Sequence, residues 1–557
     1  MADRIAPAEL RERCERRLKG MQANRRSVES DWKEVAAYFP PRRGRWLCAS
    51  PDQGERLNSK LLNGTGAKAA SILANGMASG LSSPSRPWFR LGTEDPQLRE
   101  YGPVKDFLGL AQNALYQLLA RTNFYNAAQG GYKELGLFGI EAAIFTPHWK
   151  HRGVVHQLTA GEYWVGMSDA LQPDSLYRRC PLTVGQLVQK FGSGASRRVR
   201  EMYDRGDLDE WIACFHAIEP NPDRVPGKAD RANLVYRSVY WEEGSDRDEV
   251  LEVAGFDQQP FWAPRWEVVG STTYGSSPAM DALGDAKQLQ LKELRLQQAI
   301  DYVNRPPLKG PPSLETAVVR NVPGGVTFMA PADDAAFKPI YEIRPDLSAL
   351  QMDIGRVEAA IGRHFFVDLF MAITQMEGIQ PRNEAEVAER VGEKMTQLGP
   401  VVERVQNEKL RIAVEIGWSI VLKMGVLPPP PPEIAGREMK LEFISMLAQM
   451  QRAAGLTAIE RTAGFIGGIS GAFPGALDKF DADQAVDEYA DIMGAPPAII
   501  RSDDEVEKIR AERAQAEMAA QMAAAAGPAL QGAQAAKTLS ETDAGGESAL
   551  QRLLGAG

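Results

Sequence analysis

Apolar residues recur at alternating three- and four-residue steps between Tyr274 and Pro312. Ala279, Ala282, Ala286, Leu289, Leu296, Ile300 and Val303 make one stripe, and Met280, Leu283, Leu291 and Leu294 make a second beside it. Asp281, Asp285, Gln288, Lys292 and Arg295 fill the polar side, acids first and bases later, as a helix dipole favours. Ser277 before Pro278 is a cap-then-proline start, and Arg305 before Pro306 is biased out of the α region. The spacing predicts a rod of about 26 residues, roughly 40 Å long. Taken alone, the double stripe says only that the rod packs against other helices. Residues 305–347 are rich in proline and glycine and carry short β-like runs, TAVVRNV, GGVTFMA and FKPIYEI. From Ser348 to Met371 a second amphipathic run presents Leu350, Ile354, Val357, Ile361, Phe365 and Leu369. A rod, a compact insertion and a returning rod predict a hairpin with something built on its tip.

The same reading covers the rest of the chain. A helix is expected over 7–38, stopped by Pro40 and Pro41, and a small-residue helix over 57–81. A proline-punctuated turn into a short strand follows at SSPSRPWFRL, then a helix over 103–121, with Phe124, Tyr132, Leu135, Leu137 and Phe138 as candidate core. Period-two alternation predicts strands from Ala143 to about Gly166, then a helix near 183–203 and strands at 211–219, 234–242 and 250–254. Beyond the second rod, MAITQMEGIQPR (371–382) breaks the pattern. Asn383 with Glu386 restarts a long helix, expected to kink at Gly399 and Pro400. Pro428 to Pro432 reads as a stiff boundary before a smaller helical region, 433–500. A charged, alanine- and glutamine-rich helix is expected from about 503, with a disordered tail from Gly527.

Composition narrows the function classes. A chain of 557 residues, 44% hydrophobic and 25% charged, can build several cores. A net charge of −9 argues against holding nucleic acid by bulk neutralisation. Arg11, Arg13, Arg16, Arg17, Lys19, Arg25 and Arg26 continue into Arg42, Arg43 and Arg45; they read as a solvated helix face or as a nucleic-acid or partner surface. Cys14, Cys48, Cys180 and Cys214 fit no zinc spacing and are expected to be free thiols in a reducing compartment. The N-terminus lacks an apolar signal segment, and no run approaches the ~18–20 residues of a membrane span, so a soluble protein of cytoplasmic origin is expected. His148, His151 and His156 suggest a metal site, but strand alternation would turn the first two to opposite faces. Asp481, Asp483 and Asp487 lack the glycine and glutamate of a calcium loop and read better as helix caps. GTGAK lacks phosphate-loop spacing, and HExxH, GxSxG and the dinucleotide fingerprint are missing. No enzyme activity, cofactor or metal is expected.

Several runs, in order, resemble one family. They are DWKEVAAYFPPRRG, SRPWFRL after the small-residue helix, TNFYNAAQGGYKELGLFG, LTVGQLVQKFG, GFDQQPFWAPRW leading to YGSSPAMDALGDAKQLQ, and GAPPAIIRSDDEVEKIRAERAQ. Together they resemble the head-to-tail connector, or portal, proteins of short-tailed, T7-like bacteriophages. The resemblance implies an α+β, mainly helical, portal-type fold assembled as a ring. Residues 1–273 would be the wing, 274–304 the first stem helix, 305–347 the clip and 348–370 the second stem helix. Residues 371–382 would be the tunnel loop, 383–427 a long kinked helix closing the wing, 433–526 the crown with a possible short barrel, and 527–557 the tail. It further implies a dodecamer at one capsid vertex, in the virion, through which double-stranded DNA is packaged and ejected. Partners would be the terminase motor, the major capsid and scaffolding proteins and a tail adaptor. Gln375, Glu377 and Arg382 in the loop, with Arg356 and Arg363 on the second stem helix, are the candidate channel residues. Leu289, Leu296, Ile300, Ile354, Val357 and Ile361 are the candidate stem packing. The rival reading is a helical structural or scaffolding protein of the virion without a DNA channel.

Overall fold

A computed structural model describes residues 6–40, 44, 61–95, 98, 101–225, 227–228, 230–246, 249–304, 308–309, 338–339, 346–375, 397–437, 439–471, 473–493, 501 and 503–541. Helix α1 (Pro7–Tyr38) starts on a proline and buries Leu10, Cys14, Leu18, Met21, Trp32 and Val35 along one stripe. Two members of its basic run, Arg11 and Arg25, turn inward, while Arg16, Arg17, Lys19 and Arg26 are exposed. Arg11 donates to the carbonyls of Ser245, Asp246 and Glu249, and Arg25 donates to those of Gly161 and Tyr163 while lying 4.4 Å over the Trp164 ring. Arg17 pairs with Glu219 at 2.8 Å and Arg13 with Asp223 at 3.1 Å. Arg11 and Arg25 are buried and tie α1 to the sheet beneath it, which a solvated face would not do, whereas Arg13 and Arg17 pair at its edge and stay partly exposed.

The expected small-residue helix begins later than residue 57, as α2 (Thr65–Leu81). Strand β1 (Phe89–Gly92) and helix α3 (Gly102–Arg121) precede α4 (Phe124–Phe138), where Phe124, Tyr132, Leu135, Leu137 and Phe138 are all fully buried. Gly139 at φ +73° ends α4, a left-handed cap that a side chain would strain. Strands β2 (Ala142–His148) and β3 (Arg152–Leu158) form a hairpin. The turn between them overrides strand alternation, so His148 and His151 are not on opposite faces; their rings stack with centroids 5.2 Å apart.

β4 (Tyr163–Met167), β5 (Pro173–Thr183), β6 (Trp211–Pro220), β7 (Tyr236–Glu242) and β8 (Val250–Phe256) form a five-stranded antiparallel sheet in sequence order. Between β5 and β6 the single helix expected near 183–203 is two. α5 (Val184–Phe191) opens on a Thr183–Gln186 capping box, and α6 (Arg197–Arg205) is capped by Ser196. The glycines at 192 and 194 separate them. Strand β9 (Phe261–Trp262) pairs with β2.

Ser277 caps the first rod as expected, accepting from the Met280 N–H at 3.1 Å and donating to the Leu137 carbonyl at 2.8 Å. The rod is interrupted at Ala282, giving α7 (Pro278–Asp281) and α8 (Leu283–Asn304). In the tip, β10 (Leu308–Lys309) pairs with β11 (Lys338–Pro339); TAVVRNV and GGVTFMA lie outside the described residues. The returning rod is also broken. α9 (Leu347–His364) and α10 (Val367–Gln375) meet at Phe365–Phe366, with Phe366 at φ +54°. Phe365, Leu369 and Phe370 are all buried, and the break turns them into one core.

Residues 397–405 form helix α11, which passes through Gly399 and Pro400 in the α form. The departure from α geometry in the described helix is instead a π turn at Gln406–Leu410, leading into α12 (Arg411–Lys423). The expected boundary at 433 moves. After the prolines the chain returns as β12 (Lys440–Phe443), paired antiparallel with β1, and Ile434, Phe443 and Leu447 join the main core. The first compact unit therefore runs to Ala454.

Helix α13 (Met446–Ser470) leads into the second unit, 455–557. There Asp481 caps α14 (Ala482–Met493) by accepting from the N–H groups of Asp483 and Gln484, both at 3.1 Å. Asp483 holds Arg510 of α15 (Asp503–Glu541) by two bonds of 2.7 Å. The tail expected to be disordered from Gly527 is helical to Glu541. Alanine is the best helix former, and the alanine-rich turns on either side outweigh the one hydrogen bond lost at Pro528. Among the described residues no helix is long and apolar enough to cross a membrane.

One titration is built into the sheet. His216 on β6 is buried, stacks on Tyr240 at 3.7 Å and accepts at Nδ1 from Arg178 Nε at 3.2 Å, so its Nε2–H faces Ser238 at 2.9 Å. Burial first, then Arg178 and Lys190, hold its pKa well below the ordinary histidine range. The unfolded chain takes up this proton near pH 6.5 and the folded chain does not, so stability falls as pH drops below that value. The thermal midpoint is expected to drop between pH 7.5 and 5.5, and to drop less in His216→Gln. Parallel losses in both proteins would show that His216 is not the cause.

Candidate functional site: the stem hairpin and its anchor

The stem has a buried seam and an open flank. Leu289 and Leu296 of α8 and Ile354, Val357 and Ile361 of α9 all lie in the main core. Ile300, the sixth expected packing residue, is 37% exposed in the single subunit. Leu291, Leu294, Tyr302, Val303 and Met352 are exposed with it. Across the seam Lys292 bonds Asp353 at 2.5 Å, and its ammonium, with help from Arg356, holds the Asp353 carboxyl below the usual carboxylate range. His364 stands 3.6 Å from Asp285.

The sequence-predicted channel residues are only partly brought together. Arg356 is exposed and pairs with Asp353 at 3.0 Å; Arg363 is exposed and makes no ion pair among the described residues. Gln375 is the last residue of α10, so helix continues into the segment expected to be the loop. Glu377 and Arg382 lie outside the described residues.

Two polar clusters in the first unit were not anticipated from the sequence, and the first of them ties the loop before α2 to both helices of the hairpin. In the first, Gln290 of α8 acts as a surrogate peptide group. Its Oε1 accepts from the N–H groups of Leu62 and Asn63 at 2.7 and 2.9 Å, and its Nε2 donates to the Asn63 carbonyl at 2.9 Å. The Asn63 amide then donates to Glu293 of α8 at 2.7 Å and to Glu358 of α9 at 2.8 Å, bridging both stem helices. Thr65 donates to the same Glu358 oxygen at 2.9 Å.

The second cluster is the π turn. Adjacent residues of an α-helix point about 100° apart, yet Glu408, Lys409 and Leu410 are all buried, because the wider turn lets three in succession face inward. Glu408 takes the Arg265 Nη2 at 2.7 Å and the Arg265 backbone N–H at 3.0 Å; the same Nη2 reaches the Leu171 carbonyl and Nη1 reaches that of Thr272. Lys409 meets Glu141 at 2.7 Å with both side chains fully buried, sits 3.7 Å over the Tyr132 ring and donates to the Ala128 carbonyl. Trp262 donates its indole N–H to the other Glu141 oxygen at 3.0 Å. Burial pushes the Lys409 pKa down, and the Glu141 carboxylate opposes that shift. Gly131 of α4 leaves the space that Glu141 fills, since a β-carbon there would stand 2.0 Å from its Oε1. The one sequence signal was an adjacent acid and base, EK, interrupting an apolar helical stripe. These polar groups are committed to one another, which makes the site a mechanical joint.

Removing one charge of a dry pair leaves the other uncompensated, at a cost of about 3–5 kcal/mol. Lys409→Met is expected to lower the stability of the first unit by that order in denaturant unfolding, and adding Glu141→Gln to restore much of it. A loss below about 1 kcal/mol in the single variant, an ordinary surface value, would remove Lys409 as an anchor.

The family model described as bacteriophage head to tail connecting protein matches residues 11–500. The chain is 40% identical over 533 residues to the probable portal protein of Bordetella phage BPP-1, covering 95% of each chain. It is 38% identical over 549 residues to the portal protein of Salmonella phage epsilon15, covering 98% of each. A chain from the virion of a native gene transfer agent particle aligns over 78% of this chain and 90% of that one, at 14% identity and a TM-score of 0.34, too low to bear on the fold.

Proposed function

The chain belongs to the bacteriophage head-to-tail connecting, or portal, protein family, and on that premise we propose that twelve copies close into a ring at one vertex of the capsid. The ring is the channel through which double-stranded DNA enters during packaging, driven by a terminase motor, and leaves during ejection. Capsid and scaffolding proteins surround it and a tail adaptor docks below. The subunit is made in the host cytoplasm and ends in the virion. The observation that carries this reading is the unfinished stem. A two-helix hairpin can bury one stripe per helix, and after Leu289, Leu296, Ile354, Val357 and Ile361 are covered, Leu291, Leu294, Ile300, Tyr302 and Val303 still face outward. A head-to-tail ring covers such a flank on every subunit at once.

The charge balance fits a channel that lets DNA slide. Each lysine or arginine on a phosphate adds sequence-independent affinity, and many would stall the duplex. A net charge of −9, with arginines such as Arg11, Arg17, Arg237 and Arg265 engaged in internal pairs, is in keeping with a lining sparse in bases. Gln375, Glu377 and Arg382 in the segment 371–382, with Arg356 and Arg363 on α9, are the proposed lining. Arg356 and Arg363 serve equally well as intersubunit ion-pair partners.

Negative-stain averages of the purified protein are expected to show rings with a hole wide enough for a duplex; rods or open filaments would favour the channel-less structural protein. Ile300→Asp is expected to leave the subunit folded by circular dichroism and to abolish rings in size-exclusion chromatography. Replacing Gln375 and Arg382 by alanine is expected to keep rings and change DNA packaging or retention. Unchanged packaging would take DNA contact away from both residues.

A further inference from the structure

Cys180 and Cys214 stand directly opposite each other on β5 and β6. Facing residues of antiparallel strands project to the same side, and both join the small core built by Val184, Leu187, Val199 and Ile212. Neighbouring hydrogen bonds identify the kind of pair. The Arg179 N–H donates to Glu162, away from β6, and the Ala213 carbonyl accepts from Glu243, away from β5. Backbone polar groups alternate sides along a strand, so those of Cys180 and Cys214 point at each other. Such a hydrogen-bonded pair has its Cα atoms about 5.5 Å apart, within the roughly 4.4–6.8 Å that a disulfide spans. Both thiols are free, Cys214 buried and Cys180 partly exposed. Cys14 is buried in a different cluster, with Trp164 and Tyr177.

We propose that Cys180 and Cys214 are an oxidative modification site that closes to a cross-strand disulfide when the protein leaves the reducing host cytoplasm for a medium containing small-molecule disulfides. The change of compartment rests on the portal reading above; the chemistry does not. Cys180, reachable from solvent, gives up its proton and attacks a disulfide such as oxidised glutathione, releasing one glutathione thiolate. Cys214 then loses its proton, attacks the Cys180 sulfur of the mixed disulfide and releases the second. Each step makes one S–S bond and breaks one. The two protein thiols are oxidised by two electrons, and the small disulfide is reduced to two thiols. Burial pushes the Cys214 thiol up, so its attack is the slow step. The new bond would close the chain around α5 and α6, the lobe between these strands, and restrict its opening.

The test uses the full purified chain incubated with oxidised glutathione, alkylated without reduction and digested for mass spectrometry. The expected product joins the Cys180 and Cys214 peptides, consumes two thiols in titration, and slows proteolysis within α5 and α6. In Cys214→Ser the reaction is expected to stop at a Cys180–glutathione adduct. A wild-type protein that also stops at that adduct, or keeps both thiols free, would overturn the proposal. The readout is the thiol chemistry of isolated subunits, so either result leaves the ring reading standing, and failure to form rings leaves this one standing.

Discussion

The fold turns on two ion pairs set side by side in a dry interior. Glu408 with Arg265 and Lys409 with Glu141 are each at most 5% exposed. Desolvating a lone charge costs several kcal/mol, and the cost is recovered only when the counter-charge and the remaining hydrogen bonds arrive together. Here they come from four places in the chain: Glu141 at the start of β2, Trp262 on β9, Arg265 just beyond it and the π turn of the returning helix. None can be misplaced without stranding a charge. Such a joint contributes more to uniqueness than to net stability. It makes the return of the chain after the stem specific to one register.

The same device recurs under α1. Arg11 and Arg25 satisfy carbonyls of loops and strands far away in sequence, and Arg17, Glu219, Arg237, Asp223 and Arg13 form a chain of alternating charge. Guanidinium suits the task, because its planar fork can serve several acceptors at once. Tyr177 donates to Glu219 at 2.6 Å, and with Arg237 and Arg17 it holds that carboxyl below its ordinary range despite burial. Arg11 and Arg25, which look like part of a surface run in sequence, are thereby part of the interior wiring of the sheet.

This locates what the sequence made legible. Elements specified by local chemistry were readable: the Ser277 cap, the strands around Ile144 and Val239, and the seam from Leu289 to Ile361. Elements specified by distant partners were not. The interruption at Phe365–Phe366 accompanies the burial of Phe365, Leu369 and Phe370 in the main core, whose partners are distant in sequence. The π turn exists because Glu408 and Lys409 both have partners inside. β12 appears only because β1 offers an edge, and five prolines before it read as a boundary when they lead the chain back. Gln290 was not singled out, since nothing local marks the loop at 61–64 that needs its amide. The tail from Gly527 differs in kind: helix formation sums over many residues, so the alanine-rich turns carry the helix through Gly527 and Pro528 to Glu541.

The burial of the stem changes along its length, and that gradient has a mechanical meaning. At the root Ala279, Ala282, Ala286 and Leu289 are almost fully buried, and the Asn63–Gln290 clamp, through Glu293 and Glu358, holds both helices to the loop before α2. Past Leu296 the described residues supply little further cover, and Ile300, Tyr302 and Val303 are exposed. A lever fixed at one end and bare at the other cannot choose its tip position alone. In the proposed ring the neighbour supplies that missing cover, so tip contacts would be set by assembly while root contacts are set by folding. That division lets a closed circle absorb small differences between copies at the tips without disturbing the charged joints, which tolerate no displacement.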